Sequence, residues 1–248
     1  MPDLKDKVAL VTGAARRVGA AIARRLHSGG ATVLIHYRGA ESEAVALEAE
    51  LNAGRKDSAL RIRADLLARS APEVLVQTAV ERFGRLDVLV NNASTFFPTA
   101  IGTIEDKGWD ELVGANVKAP LLLSQAAAPE LAKTRGSIVN IVDIHAELPL
   151  KGYVVYTIAK AGLAALTRSL AMELAPDVRV NGVSPGPIAW PEDGQFSEET
   201  RKHIIERTLL GRIGDPDDIA RAVHFLVADA PYMTGQVIAV DGGRSINL

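Results

Sequence analysis

Short apolar runs alternate along the chain with longer stretches of helical periodicity. The short runs are rich in Val, Ile and Leu, which is typical of strands buried on both faces of a parallel sheet. They predict strands over Val8–Thr12, Thr32–Tyr37, Ser58–Arg63, Val88–Asn91, Ser137–Val142, Arg179–Val183 and Val237–Val240. The longer stretches predict helices over Gly19–Ser28, Glu41–Ala53, Pro72–Phe83, Ile104–Leu131 with a bend near Pro120, Tyr153–Ala175 and Asp217–Ala228.

This alternation predicts an α/β fold, a doubly wound parallel sheet with helices on both faces and right-handed crossovers. No repeat, linker or low-complexity segment interrupts the chain, so we predict a single domain over residues 1–248. One irregular insertion, at about residues 187–210, contains Pro187, Pro191, Gly194 and a charged helix around Ser197–Arg207. An insertion after a strand of such a sheet usually covers the ligand crevice.

Composition narrows the classes of function. The chain has 248 residues, 48% of them hydrophobic, a net charge of -2 and no cysteine. The charge indicates no nucleic-acid partner, and the lack of cysteine excludes disulfides, thiolate catalysis and cysteine-bound zinc. The five histidines show no metal-ligand spacing. No apolar run approaches the roughly 18–20 residues that span a bilayer, and the chain enters a strand too early for a signal peptide. We therefore expect a cytoplasmic protein without metal or membrane partner.

The first strand leads through two glycines, Gly13 and Gly19, into the first helix. Gly13 permits a tight turn, and Gly19 allows close packing of the helix on the sheet. The free N–H groups at the start of that helix favour a pyrophosphate. The alternative is an ordinary glycine turn, but its place at the first βα connection favours a dinucleotide site.

The segment after the second strand indicates which nicotinamide cofactor binds. An NAD site usually has an acidic residue there, but this chain has His36, Tyr37 and Arg38 and no acid before Glu41. Guanidinium groups pair well with phosphate. The sequence therefore predicts NADPH, with the 2′-phosphate held by Arg16, Arg17 and Arg38; the alternative for Arg38 is a solvated loop charge.

Tyr156 and Lys160 lie four residues apart on a predicted helix and so share one face. An ammonium beside a phenol lowers the pKa of the phenol, which predicts that Tyr156 exchanges a proton near neutral pH. A core tyrosine with a satisfied hydroxyl is the alternative. Asp143 lies thirteen residues upstream of Tyr156 and adds a carboxyl group that could reach the same site.

These motifs together resemble the short-chain dehydrogenase/reductase family over essentially the whole chain. The residues that carry the resemblance are Thr12-Gly13 with Gly19, Asn91-Asn92-Ala93-Ser94, Asn116, Tyr156 with Lys160, Pro185-Gly186 and Asp241-Gly242-Gly243. The family implies a seven-stranded Rossmann-type sheet, a homotetramer and hydride transfer with tyrosine as acid or base. It also implies that Lys160 holds the nicotinamide ribose, Asn116 supports a relay water and Asp65 bonds the adenine. The remaining contacts that the resemblance places at the cofactor are Val18, Leu66, Asn91, Ala93, Ser94, Pro185, Gly186 and Ile188.

Two departures from the general family pattern, Arg17 in place of a third glycine and Asp143 in place of serine, resemble the pteridine reductases. In that branch the matching arginine contacts pterin and cofactor phosphate. The aromatic ring matching Phe96 stacks the pterin, and the aspartate matching Asp143 helps to protonate a ring nitrogen. Ser94 and Trp190 complete the predicted substrate pocket. Trp190 either stacks on substrate or folds its own loop. For Phe96, the alternative to stacking on the pterin is core packing or a lid contact unrelated to pterin.

The chemistry of a carboxylate beside the phenol favours a nitrogen heterocycle as substrate. At about 4 Å, an ionised Asp143 would oppose the alkoxide of ketone reduction by roughly 4 kcal/mol at an effective dielectric near 20. A ring nitrogen gains a proton instead. Asp143 as a structural loop carboxylate is the alternative. We therefore expect an NADPH-dependent reductase of pterins or folates, with a 3-oxoacyl-type carbonyl reductase and a catalytically silent NADP-binding regulator as the rivals.

Overall fold

A parallel sheet of seven strands forms the centre of the computed structural model, which describes residues 4–190 and 197–247. The strand order is β3-β2-β1-β4-β5-β6-β7, as the doubly wound prediction requires. Because the order reverses between β1 and β4, their carboxyl ends border a crevice. The strands are β1 Val8–Val11, β2 Thr32–Tyr37, β3 Ala59–Arg63, β4 Val88–Asn91, β5 Ser137–Ile141, β6 Arg179–Pro185 and β7 Val237–Val240.

Helices cover both faces of this sheet. Alternate residues of β1 enter different apolar layers, since side chains alternate across a strand. Ala9 and Val11 pack in one cluster with residues of α1, α2 and α8, whereas Val8 and Leu10 pack in the other with residues of α3, α5 and α6. The helices of the described ranges are α1 Arg17–Ser28, α2 Glu41–Gly54, α3 Ala71–Phe83, α4 Asp106–Val113, α5 Ala119–Thr134, α6 Val154–Leu174, α7 Glu198–Glu206 and α8 Pro216–His224.

The helix predicted over Ile104–Leu131 is observed as an uninterrupted helical run over residues 106–134 with one irregular turn. Two helices, α4 and α5, are separated by a π-helical turn at Gly114–Lys118. Pro120 lies in the first turn of α5, where a helix tolerates proline because that turn needs no amide donor. The π turn begins at Gly114, where a Cβ would lie only 2.8 Å from a methyl of Leu67. π turns of this kind are frequent at functional sites.

The predicted helix over Asp217–Ala228 also ends in a π turn, at Phe225–Asp229. The other predicted ends differ from the observed ones by at most two residues. In the predicted insertion, residues 191–196, with Pro191 and Gly194, lie outside the described residues. Its charged helix is α7, which Ser197 caps by accepting a hydrogen bond from the amide of Thr200.

Within residues 4–190 and 197–247, no helix combines the length and the apolar character that crossing a bilayer requires. The same residues hold no cluster of three or more histidine or acidic side chains suited to a metal ion.

Candidate active site

A cleft of about 860 Å³ opens at the carboxyl ends of the central strands. Most of the predicted cofactor and catalytic residues line it: Gly13, Arg16, Arg17, Val18, Gly19, His36, Tyr37, Arg38, Leu66, Ala93, Ser94, Asp143, Tyr156, Lys160, Pro185, Gly186 and Ile188. The predicted residues that do not line it are Asp65, Asn91, Phe96, Asn116 and Trp190.

The phosphate loop has the backbone geometry that its glycines predict. Gly13 has φ +60°, and a Cβ on Gly19 would overlap the carbonyl oxygen of Gly13. Arg17, which stands where the family pattern has its third glycine, adopts φ +52° despite its side chain. The loop therefore keeps the glycine-type turn. It leaves room for a pyrophosphate beside the free N–H groups of α1, so these residues fit a dinucleotide.

Thr12 and Asn92 brace this loop, and Asn92 was missed as a site residue. The hydroxyl of Thr12 accepts hydrogen bonds from the amides of Asn92 (2.9 Å) and Ala93 (3.0 Å). The Asn92 side chain donates in return to the carbonyls of Thr12 (2.9 Å) and Gly13 (3.1 Å). The signal was available in the Asn-Asn pair after β4, but only the fold shows which amide faces the loop.

The side chain of Asn91, predicted at the cofactor, instead belongs to a buried polar network. Its amide nitrogen donates to Asn140 Oδ1 (2.8 Å), and the amide nitrogen of Asn140 donates to Thr167 Oγ1 (2.9 Å). Both asparagines are buried. The two side chains meet because Asn91 in β4 is the direct cross-strand partner of Asn140 in β5.

His36 joins the second strand to the phosphate loop. Its Nδ1 accepts from the amide of Gly13 (3.1 Å), so its Nε2 must carry the proton that it donates to the Ala64 carbonyl (3.1 Å). Burial lowers the pKa of His36 to about 4, partly offset by the Ala64 carbonyl and by Asp65. His36 is therefore a neutral hydrogen-bond bridge at the cofactor crevice.

This bridge predicts a pH-dependent stability. The pKa of His36 is lowered in the folded chain, so its contribution is complete above the unfolded pKa of about 6.5 and is lost as the pH falls toward 4. Between pH 7 and pH 5 the free energy of unfolding should fall by about 2 kcal/mol more in the native chain than in His36→Gln, which does not titrate. Urea unfolding at both pH values measures the free energy of unfolding of each chain. An equal decrease between pH 7 and pH 5 in the native chain and in His36→Gln would contradict this prediction.

The three arginines predicted at the 2′-phosphate differ in their surroundings. Arg17 donates to the carbonyl of Ala189 (2.9 Å), joining the phosphate loop to the segment after β6. Arg16 lies 3.9 Å from Glu43, which also lines the cleft and was not predicted. Arg38 is exposed at the mouth of the cleft. The structure thus gathers all three at one crevice, and their phosphate contacts stay a prediction.

Tyr156 and Asp143, which the sequence predicts to be catalytic, are joined directly by a hydrogen bond. The Tyr156 hydroxyl donates to Asp143 Oδ2 (2.8 Å), while Asp143 Oδ1 accepts from the amide of His145 (2.9 Å). Burial, followed by the charge and hydrogen bond of Asp143, raises the pKa of Tyr156 well above its ordinary value. The prediction that Lys160 lowers this pKa is therefore wrong for the chain alone, because desolvation and the carboxylate act more strongly on the phenol.

Lys160 is buried beneath this pair. Its ammonium donates to the carbonyl of Ile141 (2.9 Å) and lies 5.7 Å from the ring centre of Tyr156. Burial lowers the pKa of Lys160 to about 8, against an upward effect of Asp143. Lys160 is therefore mostly charged at neutral pH, and burial of its charged ammonium lowers the stability of the folded state.

Asn116 lies in the π turn, and both its amide nitrogen and its Oδ1 form hydrogen bonds. Its amide nitrogen donates to the carbonyls of Leu112 (2.9 Å) and Thr95 (3.0 Å), and its Oδ1 accepts from the Ser94 hydroxyl (2.7 Å). Ser94 lines the cleft next to Tyr156. The side chain of Asn116 therefore acts on the site through Ser94, and its water-relay role stays a prediction.

The remaining predicted residues are not part of the lining of the cleft. Phe96 stacks on Tyr153, with ring centres 4.5 Å apart, and meets Tyr156 edge-on at 4.8 Å. Trp190 lies against the guanidinium of Arg201, 5.4 Å from the ring centre, which favours the loop-folding alternative for this tryptophan. Asp65 is exposed, and its Oδ1 accepts from the amide of Leu67 (3.0 Å); its adenine contact stays a prediction.

Comparisons with known proteins agree with this geometry. A family model described as enoyl-(acyl carrier protein) reductase matches residues 13–245. Pteridine reductase 1 of Leishmania tarentolae is 40% identical over 96% of both chains. An uncharacterised oxidoreductase of Methylorubrum extorquens is 40% identical over 98% of this chain and 99% of its own. A 3-oxoacyl-[acyl-carrier-protein] reductase of Staphylococcus aureus is 35% identical over 96% of this chain and 97% of its own.

The chain belongs to the short-chain dehydrogenase/reductase family.

Membership in the short-chain dehydrogenase/reductase family makes this protein an oxidoreductase that uses a nicotinamide cofactor. Its relatives include a pteridine reductase and a carbonyl-reducing enzyme at similar identity. Family membership therefore leaves the substrate open, and the arrangement at Asp143 and Tyr156 is the observation that bears on it.

Proposed function

We propose that this chain is an NADPH-dependent reductase of pterins, acting on dihydropterin, biopterin or dihydrofolate. The observation that carries the proposal is the 2.8 Å hydrogen bond from Tyr156 to Asp143. It places a carboxyl group beside the acid that would protonate the substrate. A pteridine reductase among the relatives supports the same class of substrate.

The proposed reaction adds one hydride to the carbon and one proton to the nitrogen of a ring C=N bond. The nicotinamide supplies the hydride when bound. The raised pKa of Tyr156 keeps its phenol protonated, so it is a proton donor at neutral pH. The Asp143 carboxylate orients this phenol and can accept hydrogen bonds from ring N–H or amino groups. Lys160 would hold the nicotinamide ribose.

The same pair disfavours a carbonyl substrate. Reduction of a ketone develops negative charge on an oxygen beside Tyr156. An ionised carboxylate about 4 Å away opposes that charge by roughly 4 kcal/mol, which is about a thousandfold in rate. A C=N nitrogen is much more basic than a ketone oxygen and can accept its proton before or together with the hydride, so no anion develops beside Asp143.

NADPH is proposed over NADH because Arg38 directly follows β2 and no acidic side chain comes before Glu41. The exposed guanidinium of Arg38 lies at the mouth of the cleft, with Arg16 and Arg17 across the loop. Since a 2′-phosphate is present only in NADPH, we expect kcat/KM for NADPH to exceed that for NADH by at least about tenfold. Steady-state kinetics at fixed substrate measure the ratio, and comparable values would refute the cofactor preference.

A paired assay tests the substrate. We expect the purified protein with NADPH to reduce dihydrobiopterin with a higher kcat/KM than an acetoacetyl thioester. The second candidate, a 3-oxoacyl-type carbonyl reductase, is favoured by the Staphylococcus aureus relative. It predicts the opposite order, so a preference for the thioester would replace the pterin proposal with it.

The active form is proposed to be a homotetramer. The helix α6, which carries Tyr156 and Lys160, leaves Ile158 and Met172 exposed, and small residues along it permit close helix approach. Sedimentation at micromolar protein tests this assembly, and a monomer would refute it.

A further inference from the structure

Phe96, Tyr153 and Tyr156 form a small aromatic cluster at the start of α6, the helix that carries Tyr156 and Lys160. Phe96 and Tyr153 are nearly parallel, with ring centres 4.5 Å apart and an angle of 9° between the planes. The contact of Phe96 with Tyr156 is perpendicular, at 80°. Among the described residues Phe96 therefore has one stacked neighbour, and that neighbour is Tyr153.

Thr99 fastens the loop that carries Phe96 to the same helix. Its amide donates to the carbonyl of Gly152 (2.6 Å), and its hydroxyl accepts from the amide of Val155 (3.1 Å). Val155 belongs to the first turn of α6, whose own N-cap residue makes no side-chain cap. Thr99, which is buried, thus supplies from another segment the cap that satisfies an otherwise unpaired donor.

This arrangement links two parts of the site that are far apart in sequence. Tyr153 lies one turn before Tyr156, and its backbone forms a bridge with Thr99, three residues beyond Phe96. The stack and the cap therefore fix the plane of the Phe96 ring relative to the phenol of Tyr156. A stacked aromatic pair has a defined geometry that a single loop phenylalanine lacks.

We propose that Tyr153 is a positioning residue for the substrate. By stacking on Phe96, it holds that ring against the Tyr156 phenol, and so it fixes the aromatic wall beside which a flat, conjugated nitrogen heterocycle would meet the proton donor. This inference rests on the proposed function. We assign this role to the ring of Tyr153 and not to its hydroxyl group.

Kinetics of two variants test the role of the stack. Tyr153→Phe keeps the ring and should keep the native kinetics. Tyr153→Leu keeps apolar bulk but loses the stack, and it should raise KM for dihydrobiopterin about fivefold. Its KM for NADPH should stay within about twofold of the native value. A general loss of structure would change both constants together, which separates positioning from stability.

A second pair of variants tests the same idea without touching the ring. Thr99→Val removes the capping hydroxyl at constant shape and should raise KM for dihydrobiopterin about threefold, while Thr99→Ser should restore it. Tyr153→Leu and Tyr153→Phe with equal KM values for dihydrobiopterin would overturn the inference while leaving the pterin proposal intact. No turnover of any pterin by the native protein would overturn both.

Discussion

Asp143→Ser is expected to lower kcat/KM for dihydrobiopterin by about 100-fold or more and to raise activity on ketones. Asp143 accepts the hydrogen bond of the Tyr156 phenol at 2.8 Å. A positioned acid–base partner of this kind is worth roughly 10²–10⁴ in rate. A serine hydroxyl at this place carries no charge, so the electrostatic opposition to an alkoxide disappears. The two effects have opposite signs because they arise from the same negative charge.

Asp143→Asn is the matched control for shape. Asparagine keeps the size of the side chain and an oxygen that can accept a hydrogen bond from the His145 amide. It therefore keeps the N-cap of the short helix at Ile144–Ala146. It should therefore lose pterin activity to a similar extent while keeping its thermal stability. Pterin kinetics unchanged in both variants would show that Asp143 is a structural carboxylate.

Lys160→Met is expected to abolish most activity and yet to stabilise the fold. The ammonium is buried, and burial lowers its pKa from the ordinary value of 10.5 to about 8. A buried ammonium at neutral pH is therefore a net cost to the folded state. An apolar side chain of similar length removes that cost, so the free energy of unfolding should rise by about 1–3 kcal/mol at pH 7. Turnover should fall by at least about 100-fold, since Lys160 would hold the ribose beside the proton donor.

The pH dependence gives this prediction a second readout. Because the pKa of Lys160 is lowered in the folded chain, the native protein regains stability as the pH rises from 8 toward 10.5. The gap between Lys160→Met and the native chain should therefore narrow over that range. Lys133→Met, at an exposed lysine paired with Glu130, is the control and should change stability little. A Lys160→Met chain less stable than the native one at pH 7 would contradict the argument.

Local patterns in the sequence predict most of the fold. The strand β1 could be recognised because an apolar run followed by Gly13 has few other interpretations, and the observed order of strands agrees. Gly13 and Gly19 could be placed because backbone geometry depends on the residue itself. Arg17 was recognised by its position, although its left-handed backbone conformation could not be predicted from its side chain.

The features that escaped prediction all depend on contacts between distant segments. In the chain alone, the pKa of Tyr156 is shifted in the direction opposite to the one expected beside Lys160 and an oxidised nicotinamide, because desolvation is a property of the folded cavity and spacing along a helix does not report it. The cap that Thr99 gives to α6 joins residues more than fifty positions apart. The π turn at Gly114–Lys118 arises where Leu67 packs against Gly114, a contact that no periodicity encodes.

The paired amides of Asn91 and Asn140 have a consequence for how the sheet assembles. They meet side by side across β4 and β5, and Asn140 continues the contact to Thr167 on the catalytic helix. If either strand slipped by one residue, these amides would face hydrocarbon without partners, at about 1–3 kcal/mol for each lost group. The hydrogen-bonded side chains of Asn91, Asn140 and Thr167 therefore specify the strand register within the apolar core. These hydrogen bonds disfavour misregistered pairing of β4 with β5. They also fix the rotation of α6, the helix that carries Tyr156.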